Sequence, residues 1–209
     1  MEDSLLEEVS EEEVAVAVDS KRNFNTELNY IKNDRIKESA EALISKIPSY
    51  FFYEPASSTG KYHPAFSQGD GGLLRHTKVA VKIADTLLKN NSICYKFTSD
   101  EKDLIILSLI MHDSVKKGFI EEKYTKFDHP LLASKLIRDN KSITKLTDEE
   151  IDLVCQMIET HMGEWTKDYN GNEILKKPNN KYQRFVHMCD YLSAQKFLNV
   201  NFNEENEIL

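Results

Sequence analysis

Cysteine is scarce in this 209-residue chain, with only Cys94, Cys155 and Cys189, widely spaced and without a CxxC pair. An odd, scattered set excludes a disulfide framework and a thiolate zinc site, and fits buried free thiols in a reducing compartment. No flanking pattern marks any of the three as an activated nucleophile. Seven Gly and five Pro exclude collagen-like and Pro-rich architectures. There is no run of about 18 apolar residues, so no transmembrane helix and no membrane partner are expected. A GxxxxGK[ST] loop is also missing, which excludes the P-loop nucleotide site. The N-terminus, MEDSLLEEVSEEEV, is acidic where a secretory signal is basic and then apolar, so a cytoplasmic location is expected.

Positive charge is absent from the first twenty residues, which hold eight of the 35 acidic residues. The other 27 acids face 27 Lys and Arg, so the net charge of −8 lies entirely in this short segment. Residues 1–22 read as a disordered acidic leader in which Val14, Val16 and Val18 permit transient strand pairing; residues 23–200 read as one domain, and 201–209 as a polar tail. A neutral body lacks the basic surface that a long duplex nucleic acid requires. It remains compatible with a small phosphorylated ligand in a locally positive pocket.

Apolar residues recur with helical period, which predicts an all-α bundle. A first helix is expected from about Thr26 to Ile47, ended by Pro48. Residues 48–72 form a long connection of the kind that often carries function. Further helices are expected at Leu73–Asn90, from Thr98 or Ser99 through LIILSLIMH, at His129–Arg138, from Thr147 to Met162 with a capping box at Thr147 and Glu150, and at Lys181–Leu198. The third of these, being apolar all round, should be the centre of the bundle.

Five of the six histidines, His76, His112, His129, His161 and His187, lie on or at the ends of these helices; His63 precedes them in the loop. Asp113 follows His112 at the C-terminal end of the most apolar helix, where the helix dipole and desolvation both oppose a carboxylate. Asp190 lies inside an equally apolar stretch, VHMCDYLSA. Both need a cation, and imidazole with carboxylate is a standard donor set for a divalent metal. Helix ends converging at one end of a bundle would collect these groups into a single site.

The ordered blocks GGLLRHT (71–77), MHDSVKK (111–117), HPLLASKL (129–136), ETHMG (159–163) and CDYLSA (189–194) resemble the HD-domain superfamily of metal-dependent phosphohydrolases, over residues 60–198. The first block is most similar to exoribonuclease-like and phage-encoded members, for which the location would be the host cytoplasm. The resemblance implies an HD-domain-like helical bundle with one or two divalent ions (Mn, Fe, Zn, Ni or Mg) where its helices converge. It makes His76, His112, Asp113 and Asp190 ligands of one ion, and makes Asp113 a bridge to a second bound by His129 and His161. Lys116 matches the lysine of the family's HDxxK pattern, which contacts substrate phosphate. Met162 stands where many dinuclear relatives have a second adjacent histidine, and a thioether is a poor ligand for a hard ion.

The expected activity is phosphomonoester or phosphodiester hydrolysis of a nucleotide or short oligonucleotide, with Asp113 and Lys116 as catalytic residues. His63, Arg75, Trp165 and His187 are further candidates for substrate contact: His63 from the adjoining loop, Arg75 as a bidentate phosphate grip, Trp165 by stacking a base. Two other readings share the fold: a di-iron-type oxygenase, and a non-catalytic metal- or nucleotide-binding module acting through a partner. The sequence does not indicate an oligomeric state.

Overall fold

The computed structural model describes residues 20–60, 63–94 and 96–209. Residues 1–19, most of the acidic leader and all of its possible strand, lie outside the described residues. Six helices of about three turns or more build the fold: α1 (Asp34–Ile44), α2 (Gly72–Leu88), α3 (Ser99–Met111), α4 (His129–Asp139), α5 (Asp148–Glu159) and α6 (Lys181–Ser193). One-turn helices occupy Asn25–Leu28 and Asn91–Cys94. Among the described residues there is no strand, only the isolated bridges Lys167–Glu173 and Phe202–Ile208. No helix among them is long and apolar enough to cross a membrane.

The central helix is α3, buried continuously from Asp103 to Met111 and packed against α1, α2, α5 and α6. Capping boxes start α3 (Thr98 with Glu101) and α5 (Thr147 with Glu150), each satisfying two backbone N–H groups that the first turn leaves unpaired. Because α3 has no polar face, its C-terminal residues His112 and Asp113 are carried straight into the interior.

The single helix expected over Thr26–Ile47 is instead two pieces. The Asp103 carboxylate accepts the N–H groups of Lys32 at 3.0 Å and Asn33 at 2.7 Å, and Asn33 then caps α1 by accepting from Arg35 N–H. A side chain 70 residues away thus replaces the local helical acceptors. Two other helices are shorter than expected: α5 stops at Glu159 and α6 at Ser193, whose hydroxyl bonds back to Asp190 O.

The 48–72 connection is pinned beneath the start of α2. Tyr53 O and Glu54 O accept from the N–H groups of Gly71 and Leu73. Gly71 has a left-handed backbone, φ 70°, and Gly72 lies against the Ser67 carbonyl so closely that a Cβ would be 2.3 Å from its oxygen.

Residues 201–209, expected as a tail, fold back onto α2. Phe202 stacks on Phe66, Asn206 accepts from Arg75, and Glu207 pairs with Lys78. Lys78 is fully buried, and it faces Glu27 at 3.8 Å as well. A buried ammonium requires such partners, which is the physical reason this polar segment is seated.

Burial pushes Glu27 up to about 7, against the opposing pull of Lys78. Folded Glu27 therefore holds its proton at pH values where the unfolded chain has lost it. Its contribution to stability is complete below about pH 4.5 and disappears as the pH rises through about 7. At about 1.4 kcal/mol per pH unit this amounts to about 3 kcal/mol. Glu27→Gln should remove this component, so that the difference in urea midpoint between pH 5 and pH 8 is smaller than in the wild type. Identical pH dependence in the two proteins would contradict the assignment.

Candidate metal centre

Six side chains from five elements meet at one end of the bundle. His76 is the fifth residue of α2; His112 and Asp113 follow α3; His129 opens α4; His161 lies in the turn after α5; Asp190 is on α6. The first five are at most 1% exposed. Asp190 is the most open, its side chain 17% exposed.

Two donor groups share His112 and lie close enough to hold an ion: His76, His112 and Asp190, and His112, Asp113 and His161. His76 Nε2 is 3.0 Å from Asp190 Oδ1, and His112 Nε2 is 3.4 Å from Asp113 Oδ2 and 3.5 Å from Asp190 Oδ1. On the other side, Asp113 Oδ1 is 3.0 Å from His129 Nε2 and 3.7 Å from His161 Nε2, and those two nitrogens are 3.2 Å apart. Asp113 thus presents one oxygen to each half of the cluster.

The opposite edge of every ring is tied down. Nδ1–H donates to Leu109 O in His112, to Lys126 O in His129 and to Ile158 O in His161, at 2.7–2.8 Å. In His76 it donates to Ser193 Oγ at 3.1 Å, since that hydroxyl gives its own proton to Asp190 O. Fixing the proton on Nδ1 turns the Nε2 lone pairs inward, which is how imidazole ligands are oriented toward metals.

Burial alone would raise Asp113 and Asp190, yet both are held well below the usual carboxylate range. For Asp113 the Lys116 ammonium and then His112 outweigh burial; for Asp190 the facing imidazoles of His112 and His76 do so. Burial opposes charge on His112 as well, but Asp113 and Asp190 hold it up at about 10. Burial dominates at His161, pushed down to about 3, and at His76, which is also lowered. The two carboxylates are therefore charged and the rings of His76 and His161 neutral, while His112 keeps a proton drawn by the carboxylates, one that a bound metal would displace. His112 Nε2 and Asp113 Oδ1 are buried without a hydrogen bond. Buried, unsatisfied nitrogen and carboxylate donors turned toward one another are costly unless a cation joins them, so the residues fit a divalent metal.

Around this core, Lys116 Nζ is 2.6 Å from Asp113 Oδ2. The His63 ring stands edge-on to His76, 4.9 Å between centroids, its Nδ1 buried without a partner. Burial, then His76 and Lys116, push His63 down to about 3. Arg75 is turned to the 48–72 connection and the C-terminal segment: Nε donates to Phe66 O, Nη2 to Gln68 O and Nη1 to Asn206 Oδ1. That leaves no free fork for a bidentate phosphate grip. Trp165 is 60% exposed in the segment after His161, and His187 donates Nδ1–H to His161 O at 2.7 Å. Two contributors escape a sequence reading. Ser193 orients His76, and its only trace is its position three residues after Asp190. Gly163 seats the His187 ring, and its trace is the glycine that ends ETHMG.

An all-α bundle with His and Asp side chains converging from its helix ends is the fold and site of a metal-dependent hydrolase. The HD domain profile matches residues 73–195, more than half of the chain, and the chain belongs to the HD-domain family. No curated protein and no solved structure matches it.

Proposed function

We propose that this protein is a metal-dependent phosphohydrolase that cleaves a phosphomonoester or phosphodiester bond in a nucleotide or short oligonucleotide. The observation that carries the reading is the Lys116 ammonium beside Asp113, within the ring of imidazole and carboxylate donors. A fixed cation next to metal ligands suits a substrate with several anionic oxygens.

His76, His112, Asp113 and Asp190 would hold one ion, and Asp113, His129 and His161 a second. Mn, Fe, Zn, Ni and Mg all suit such donors. A divalent ion here supplies Lewis acidity toward phosphoryl oxygens and lowers the pKa of water. The protein's own part is to orient and to balance charge. Ser193 and the carbonyls of Leu109, Lys126 and Ile158 hold the imidazoles. Lys116 faces the transferred phosphoryl group and balances its growing negative charge. His63, a neutral ring beside His76, is placed to hydrogen-bond substrate oxygen. Trp165 offers an exposed face on which a base can stack. Arg75 is assigned to anchoring the loop before α2. A body with balanced charge favours a small substrate over a long duplex.

The test is a metal-reconstituted screen of mononucleotides, cyclic nucleotides and short RNA and DNA, read as phosphate or nucleotide release. Turnover of at least one substrate is expected; turnover of none, by metal-loaded protein, would overturn the reading. Oxygen consumption would indicate the oxygenase instead. For the active substrate, Lys116→Ala should lower kcat by about 10²–10³-fold and leave metal content unchanged. Equal kcat in the two proteins would remove Lys116 from the mechanism.

A further inference from the structure

His161 lies beyond the end of α5, in a turn closed by His161 N–H to Ile158 O and Gly163 N–H to Thr160 O. The helix ladder therefore does not place it, as it places His76. Its own carbonyl is gripped from a different element: His187, on α6, donates Nδ1–H to His161 O at 2.7 Å. The His187 ring lies directly on Gly163. A Cβ there would be 2.1 Å from Cε1, 2.4 Å from Nε2 and 2.7 Å from Nδ1, and the φ of +65° independently disfavours any side chain.

We infer that His187 is a positioning residue for His161, and through it for the second of the two ion positions. The inference rests on the metal-centre reading above. The grip fixes the turn from which His161 Nε2 reaches His129 Nε2 and Asp113 Oδ1. Asp190, which faces the other half of the cluster, lies three residues further along α6, on the same side of the helix. One helix therefore carries a ligand for the first ion and the clamp on a ligand for the second. Gly163 is glycine because the clamp occupies the space of its side chain. With Met162 in place of a second adjacent imidazole, His161 is the only donor this turn supplies, so the second ion depends on its placement.

The experiment is a titration of the metal-free protein with Mn²⁺, followed by calorimetry and by electron paramagnetic resonance of coupled Mn²⁺ pairs. Wild type is compared with His187→Ala, His187→Asn and Gly163→Ala. His187→Ala should keep the tighter binding event and weaken the second at least about tenfold, with loss of the coupled signal at two equivalents. Retention of the tighter event serves as the check on folding. The Asn side-chain N–H occupies nearly the place of Nδ1–H, so His187→Asn should restore much of the second event. Gly163→Ala, which displaces the ring without removing it, should reproduce the loss. Two unchanged events in His187→Ala, or a wild type that binds a single ion untouched by the substitution, would overturn the inference and leave the metal centre standing. An Asn variant no better than Ala would assign the effect to lost packing and overturn the hydrogen-bonding role. A wild type that binds no Mn²⁺ would overturn the metal-centre reading itself.

Discussion

Asp113→Asn is expected to abolish retention of divalent metal and to cut phosphoester hydrolysis by roughly 10³-fold or more in a protein that still folds. Asp113 is the carboxylate that faces both halves of the cluster. One carboxylate oxygen faces His129 and His161; the other faces His76, His112 and Lys116. The amide keeps the shape but removes the charge that balances the Lys116 ammonium and would balance bound metal. A metal contributes several kcal/mol of transition-state stabilisation, and each ~1.4 kcal/mol is a factor of ten in rate. The carboxylate's loss also removes the largest influence that raises His112, and it leaves Lys116, at the partly exposed edge of the site, without its partner. Elemental analysis after dialysis and phosphate release from the screened substrate check both halves. Full metal content with full activity would refute the central place given to Asp113.

The second large effect is on stability. Gly72→Ala places a Cβ 2.3 Å from Ser67 O, 2.7 Å from Ser67 C and 3.0 Å from Pro55 Cα, all backbone atoms that cannot rotate aside. Ser67 O is itself fixed by the Ala56 N–H, and the Ser67 hydroxyl by Pro64 O. The start of α2 must therefore shift away from the loop. Overpacking of this kind costs about 3 kcal/mol, or a fall of about 6–12 °C in Tm for a domain of this size. His76 lies four residues further along the same helix, so metal affinity should fall with stability. Gly69→Ala is the control. Its φ is +66°, but nothing lies within 4 Å of its Cβ, so it carries only the backbone strain, about 1 kcal/mol. Equal losses for the two substitutions would show that close approach at Gly72 is not the cause.

How much of this was legible in the sequence depends on where the interactions run. The all-α class, the central place of α3 and the Thr147 capping box follow from period and short-range spacing, so they were readable at once; the cap of α3 was narrowed to Thr98 or Ser99, and packing chose Thr98. The break between Asn25–Leu28 and α1 was not. It depends on Asp103, which belongs to another helix and gives no local sign that it will accept Lys32 and Asn33. The seating of residues 201–209 was hidden in the same way, because Lys78 reads as an ordinary surface lysine until the fold buries it.

The candidate site divides along the same line. The order His76, His112-Asp113, His129, His161, Asp190 could be read because carboxylates and imidazoles in apolar helices demand a cation wherever the chain places them. That Arg75 turns to backbone carbonyls, that His187 grips the His161 carbonyl over Gly163, and that Ser193 orients His76 could not. These contacts join partners 7 to 131 residues apart, and three of their five acceptors are backbone oxygens that every residue carries. By itself the sequence determined the helical class, the neutral body with its acidic N-terminal segment, and the candidate donors for a metal, because hydrophobic period and the cost of buried charge are properties of the chain. Only the tertiary structure decided which atoms of those donors face one another and what holds them there, because direction and distance arise when separate elements pack.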